Sequence, residues 1–139
     1  MTLKYLLDTS IVSVPSTTKP NQRVVRQIEE HAANSAIAAP VWHELIYGWS
    51  RLPQGKRKVA LGSYLHDVVA RTFPILKYDR AAAHWHGIER ARLDRTGKIA
   101  PYVDGQIAAI AQANSLILVT TNTKDFENFS DIELENWSQ

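Results

Sequence analysis

Four acidic residues in this chain have the surroundings that chemistry needs. Asp8 closes "LLDTS" (6–10), where two leucines deliver a carboxylate that is followed by the hydroxyls of Thr9 and Ser10. Asp104 lies in a helical pattern that begins at Pro101. At 100° per residue it shares a stripe with Ile107, Ala108 and Ala111. A carboxylate on an apolar stripe has to be paired, hydrogen-bonded or metal-bound, because burying an uncompensated charge is costly. The bland alternative makes Asp104 the N-cap of a helix that starts at Gly105. Glu44, within "VWHELIYGW" (41–49), sits at the border of an arc formed by Val41, Trp42, Leu45, Ile46 and Trp49. Gly48, one turn on, leaves room for a ligand or another chain to approach it, whereas a plain surface helix would pair Glu44 with Arg51. Asp125 belongs to "TTNTKDF" (120–126), in which Thr120, Thr121 and Asn122 follow directly on the apolar run "LILV". An Asx-rich turn explains Asn122 and Asp125 one at a time, but not why polar groups gather at the sheet edge that also receives Asp8.

Converging carboxylates cannot all stay ionised unless a cation neutralises them. An all-oxygen set favours Mg²⁺ or Mn²⁺. Such ions keep several waters and contact phosphate oxygens, so the natural substrate is a phosphodiester, cut by a metal-activated water. Thiol chemistry and thiolate metal sites are excluded because the chain has no cysteine. "HELIY" opens like a zinc-protease motif, but Tyr47 stands where the second histidine belongs, and His31, His66, His84 and His86 supply no ligand pair at helical spacing. No zinc site is expected.

Positioning these acids falls to alternating elements. Short apolar runs at 3–7, 34–41, 72–78 and 114–121 read as buried strands, and "DIELENW" (131–137) reads as a short edge strand. Helical patterns cover 21–32, 40–52, 56–71, 79–95 and 101–113. Pro40 and Pro101 suit first helical turns, Pro53 and Gly55 separate two helices, and "DRTGK" (94–98) ends a long one. The alternation predicts an α/β fold: a central, mostly parallel sheet of about four or five strands flanked by helices, with right-handed crossovers. In such sheets the binding crevice lies beyond the carboxyl ends of the strands, where Asp8 and Thr120 to Asn122 fall.

With 139 residues, 45% hydrophobic and 22% charged, the chain has the size and composition of one folded domain spanning 1–139. No apolar run is long enough for a membrane span, and the first residues lack a secretory pattern, so no membrane partner and a cytoplasmic location are expected. Charge is unevenly spread. Residues 51–98 carry eleven Lys or Arg against four Asp or Glu, whereas residues 99–139 carry one against six. The basic middle supplies a candidate phosphate-binding path through Arg51, Lys56, Arg57 and Lys58, then Arg90, Arg92 and Arg95. The same residues equally suit solvated helix faces. Trp42 and Trp49 read as packing rather than base-stacking residues, while Trp85 is open to either role.

Taken together, "LLDTSIVS", "VWHELIYG", "VDGQIAAIAQANSLILVTTNTKDF" and the closing "ENW" resemble, in order and end to end, the PIN-domain ribonucleases, specifically VapC-type toxins. The resemblance implies a PIN-like fold whose acidic quartet is Asp8, Glu44, Asp104 and Asp125, with Asp8 and Asp104 as the foremost direct metal ligands. Ser10 and Asn122 would assist. Members of the family commonly carry Asn where this chain has Ser10. The resemblance further implies a Mg²⁺- or Mn²⁺-dependent endoribonuclease acting on tRNA or ribosomal RNA, inhibition of translation, a homodimer and a cognate VapB-like antitoxin. Two rivals share parts of the pattern. A phosphatase would use Asp8 as a covalent nucleophile, but position 10 is Ser where its second acid would stand. A PIN-like module that binds RNA or protein without cutting needs no complete set of acids.

Overall fold

The computed structural model describes residues 2–139. Strand β1 (Tyr5–Leu7) leads into a short helix α1 (Thr9–Val12), followed by a 3₁₀ turn at Val14–Ser16 and helix α2 (Gln22–His31). Asn21 starts α2 at a defined point by accepting hydrogen bonds from the amides of Arg23 at 2.9 Å and Val24 at 3.2 Å. A cap of this kind stabilises a helix by about 1 kcal/mol. Strand β2 (Ser35–Ala38) then gives way to α3 (Ala39–Ser50), with Pro40 in the first turn, where its missing N–H costs nothing.

Beyond the break at Pro53 and Gly55 lies α4 (Lys56–Ser63), which continues into a π-helical segment at Tyr64–Val69 and the short α5 (Ala70–Thr72). The sequence periodicity predicts one regular helix over 56–71; the widened π turns are an addition that only packing dictates. They bury Leu65 and Val69 while the Tyr64 hydroxyl donates to the carbonyl of Val12 at 2.6 Å, tying this layer to the end of α1. Burial pushes that hydroxyl's pKa up to about 12.

Strand β3 is only Ile75–Leu76, and α6 (Arg80–Arg95) follows, capped by Asp79, whose carboxylate accepts from the Ala82 amide at 3.0 Å. Gly97 takes a positive φ of 73° just past the end of α6, the left-handed conformation that glycine adopts without strain. Helix α7 (Tyr102–Ala113), strand β4 (Ile117–Val119), a 3₁₀ turn at Thr123–Asp125 and the edge strand β5 (Leu134–Glu135) complete the described chain.

All four strand pairings are parallel, in the order β3-β2-β1-β4-β5. Central β1 pairs Tyr5 with Ser35 on one side and with Ile117 on the other. The core therefore forms on both faces of a sheet whose central strands are continuous apolar runs. Leu6, Leu7, Ile37 and Leu118 are fully buried, as are Ile11, Val41, Ile110 and Phe126 from the surrounding segments. Each such side chain contributes about 1.5–3 kcal/mol by leaving water. After β1 the chain builds outward through β2 and β3, then returns to the opposite side of β1 for β4. The strand order reverses on either side of β1, and in sheets of this kind the binding crevice lies at the carboxyl ends of the two strands beside that reversal, here β1 and β4.

Candidate active site

The crevice is built from groups that the chain can place nowhere else. Asp8 is the first residue after β1, 8% exposed, and its amide donates to the carbonyl of Val119 at 2.9 Å. The adjoining strand β4 is followed by Thr120, which is fully buried and donates its hydroxyl to Asp8 Oδ2 at 2.8 Å. Ser10 Oγ donates to the same oxygen at 3.2 Å and itself accepts from the Thr121 amide at 3.1 Å. Thr120 Oγ1 also accepts from the amide of Asn122 at 3.0 Å. Two strand ends are thus laced together around one carboxylate. Both hydroxyls bind Oδ2, and Oδ1 has no hydrogen-bond partner among the described residues.

Helix α7 brings the second acid. It begins at Tyr102 with Pro101 as N-cap, so Asp104 occupies the third helical position and is not the cap of a helix starting at Gly105. Ile107, Ala108 and Ala111 on its stripe are buried, as the spacing predicts. Asp104 is half-buried, and its pKa is pushed up to about 6, first by desolvation and then by the negative charges of Asp8 and Asp125. Burial is the larger cause, and the two carboxylate charges add to it because Asp8 and Asp125 lie on the same side of the sheet as Asp104. Asp125 reaches it from the 3₁₀ turn, where its amide donates to the carbonyl of Asn122 at 3.0 Å.

Glu44 stands apart from this trio. It is exposed on α3, forms no ion pair with Arg51 among the described residues, and is not among the charges that raise Asp104. A methyl group added at Gly48 would meet nothing within 4 Å, so the helix surface one turn from Glu44 is open with or without a side chain there. Asn122 is exposed and enters the site through its backbone, whose carbonyl receives Asp125 and whose amide donates to Thr120.

The basic residues divide into several environments. Lys56 and Arg57 are exposed on α4, and Arg57 lines a cavity of about 580 Å³ shared with Ser13, Ser16 and Thr17, on the segment that leaves α1. Lys58 is turned inward: its ammonium donates to the carbonyl of Ser50 at 3.3 Å and lies 5.5 Å from the Trp49 ring. Arg51 lies over Tyr47 at 5.1 Å and Arg90 over Tyr102 at 5.2 Å, each leaving its charge at the surface. Arg95 is exposed at the end of α6. Arg92 has a structural partner, since its guanidinium binds the carboxylate of Glu89 and the carbonyl of Asn128.

Sequence reasoning left three contributors unassigned. Thr120 was legible only as a strand-end hydroxyl, and its bond to Asp8 depends on β4 lying beside β1. His86 and Glu89 are buried polar residues on α6, 3% and 4% exposed. Their signal was available: Ala82, His86, Glu89 and Leu93 repeat at helical spacing and form the buried stripe of that helix. His86 accepts or donates a 2.8 Å hydrogen bond with the Tyr78 hydroxyl. Its ring fills the space left by the missing side chain of Gly105, the residue after Asp104. Burial, and then the nearby Arg90, holds its pKa below the ordinary histidine value. Among the tryptophans, Trp49 packs within the chain and donates to the carbonyl of Lys58 at 2.9 Å, and Trp85 lies 6.1 Å from the Phe129 ring.

Comparison with known proteins places this geometry among relatives. The PIN domain matches residues 5–132. The chain is 34% identical over 136 residues to the tRNA(fMet)-specific endonuclease VapC of Shigella flexneri, covering 98% of this chain and 99% of the relative. Two solved structures share the fold nearly throughout. FitAcB from Neisseria gonorrhoeae superposes with a TM-score of 0.88 at 31% identity, covering 96% of this chain and 97% of the other. DNA-bound VapBC from Salmonella typhimurium superposes with a TM-score of 0.85 at 28% identity, covering 97% and 98%.

Proposed function

Because the chain belongs to the PIN-domain family, in its VapC branch, we propose that it is the endoribonuclease toxin of a toxin–antitoxin pair, formed as one nuclease domain over residues 1–139. The observation that carries this reading is the convergence of Asp8, Asp104 and Asp125 at the β1/β4 crevice, close enough for two of them to raise the pKa of the third. Such an all-oxygen, self-repelling set suits Mg²⁺ or Mn²⁺. Among the described residues no three His, Asp or Glu side chains stand together as a metal-holding group, and the reading rests on the chemistry of the donors: an ion of this class takes only one or two carboxylates and keeps several waters. Asp8 and Asp104 would be the principal ligands, with Asp125 beside them, while Glu44, exposed on α3 and apart from the trio, would act from the outer edge of the site.

The bound ion would supply charge stabilisation at the phosphoryl oxygens and would acidify a coordinated water, making it a better nucleophile. The chain's own residues perform the rest. Thr120 and Ser10 hold Oδ2 of Asp8, which fixes the carboxylate's rotation and leaves Oδ1 without a hydrogen-bond partner among the described residues, available to a cation. Asp104, with its pKa raised to about 6, is mostly ionised at neutral pH and available to a cation, and takes up a proton only in mildly acidic solution. Exposed Lys56, Arg57, Arg51, Arg90 and Arg95 would guide the phosphate backbone of the RNA.

The name of the Shigella relative favours tRNA over ribosomal RNA as the substrate class, and cutting either would inhibit translation. The named VapBC relative pairs its toxin with an antitoxin, and a VapB-like partner and a homodimer are proposed for this chain on that likeness. No helix among the described residues is long and apolar enough to cross a membrane, and action on tRNA would place the protein in the cytoplasm. The test is gel-resolved cleavage of total tRNA and ribosomal RNA with Mg²⁺, Mn²⁺ or EDTA, by wild type and Asp104→Asn purified in parallel. Discrete fragments from wild type alone, lost in EDTA, are expected. Equal fragments from both proteins would overturn the role given to the acids.

A further inference from the structure

A carboxylate that the acidic crevice does not use lies buried on α6. Glu89 is 4% exposed, and both of its oxygens are occupied. Oε1 accepts from the Ser130 amide at 2.7 Å and the Ser130 hydroxyl at 3.0 Å, and Oε2 accepts from that hydroxyl at 3.0 Å. Arg92 Nε donates to both oxygens at 3.2 Å, and its Nη2 donates to the carbonyl of Asn128 at 2.8 Å. One helical ion pair thus grips an N–H and a C=O of the same short segment.

That segment has little else of its own to hold it. Between the 3₁₀ turn Thr123–Asp125 and β5 the chain forms turns without strand or helix. The backbone bonds of Phe126 and Phe129 run only to residues three positions earlier. Phe126 and Phe129 are buried, at 1% and 6% exposure, which fixes the depth of the segment but not its sliding along α6. Directional bonds from Glu89 and Arg92 supply the missing constraint. Asp125 immediately precedes Phe126 and is held on its other side by Asn122. Only the Glu89 half of the pair is buried, the Arg92 side chain being 38% exposed, so the charge attraction itself is screened and adds little to stability, and the value of the pair lies in placement rather than in holding the fold.

We infer that Glu89, oriented by Arg92, is a positioning residue that sets where Asp125 stands in the crevice. This rests on Asp125 belonging to the acidic site, and the test separates the two ideas. Two variants are compared with wild type: Glu89→Gln, and the pair Glu89→Met with Arg92→Leu, which leaves no unpaired buried charge. Urea unfolding identifies which variants remain folded. Amide ¹H–¹⁵N spectra then read position without reference to activity: shifts at residues 122–125 are expected, with β1 and α7 unmoved. Shifts confined to 126–130 would overturn the inference, whether or not the protein cuts RNA. Mn²⁺ titration without RNA should show about a 10-fold loss of affinity in the folded variants. Cleavage should lose kcat with KM nearly unchanged. In an Asp125→Asn background the Glu89 variants should cause no further loss in either measurement; independent, multiplying losses would show that Glu89 acts elsewhere.

Discussion

Replacing Asp104 with Asn should make the metal-free protein more stable at alkaline pH, although it removes a central group of the site. The sign follows from proton binding. Folding raises this carboxyl from 3.8 to about 6, so the folded state holds the proton more tightly than the unfolded chain. The ionised form therefore destabilises the fold at pH 8; the penalty shrinks as pH falls through about 6 and is gone below 3.8. The gap between the two values sets a ceiling of about 3 kcal/mol. Asp104 is half-buried, and solvent screening brings this to ~1.5–2 kcal/mol. The positive end of α7 favours an anion at the third helical position by ~0.3–1 kcal/mol, an advantage that Asn gives up. A net gain of roughly 1 kcal/mol remains, which moves a urea midpoint by roughly 0.5 M. The assay is urea unfolding of both proteins from pH 5 to pH 8 in EDTA. A variant less stable than wild type at pH 8, or a gain that does not fall with pH, would refute the reasoning. Adding Mg²⁺ should stabilise wild type and narrow the gap, because only the folded state offers the assembled acids.

Two further expectations concern packing and charge. Gly105→Ala should destabilise the protein by ~1–2 kcal/mol, because a Cβ there would lie 2.2 Å from His86 Nε2, and overpacking outweighs the ~1 kcal/mol helix-propensity gain. In a His86→Ala background the same substitution should become neutral or stabilising by urea melts; a loss unchanged in that background would remove His86 as the cause. Changing Lys56, Arg57 and Lys58 to Gln should lower the slope of log affinity against log salt for single-stranded RNA by about 1.4, the value for two phosphate contacts. The third residue is discounted because Lys58 faces Ser50, and filter binding across a salt series that gives an unchanged slope would remove this patch from the RNA path.

The parallel α/β alternation was legible because each strand is a short apolar run bounded by turn residues, and each helix carries a stripe. What could not be read was local geometry that depends on neighbours. The run 72–78 keeps only Ile75 and Leu76 in the sheet, since β3 is an edge strand with one partner. The π turns at Tyr64–Val69 have no periodic signature. Within the site, Asp8 and Asp104 were legible from a strand end and a helix stripe. Arg92 was legible by the same logic: of Arg90, Arg92 and Arg95 it alone stands three residues after Glu89, the spacing of a helical ion pair, while the other two are exposed. A check of polar residues at buried helical positions would have found both His86 and Glu89.

The bond from Thr120 to Asp8 joins residues 112 apart in the chain, and β1 acquires its second neighbour only from β4. A ribosome making this protein releases Asp8 almost at once, yet that carboxylate waits for nearly the whole chain before its partners exist. At roughly 5–20 residues per second the interval is several seconds or longer. Any product that stops short of β4 lacks the lacing of the crevice and the turn that carries Asp125. For a protein proposed to cut RNA, the consequence of the sheet order is that the crevice is assembled only when the chain is nearly complete.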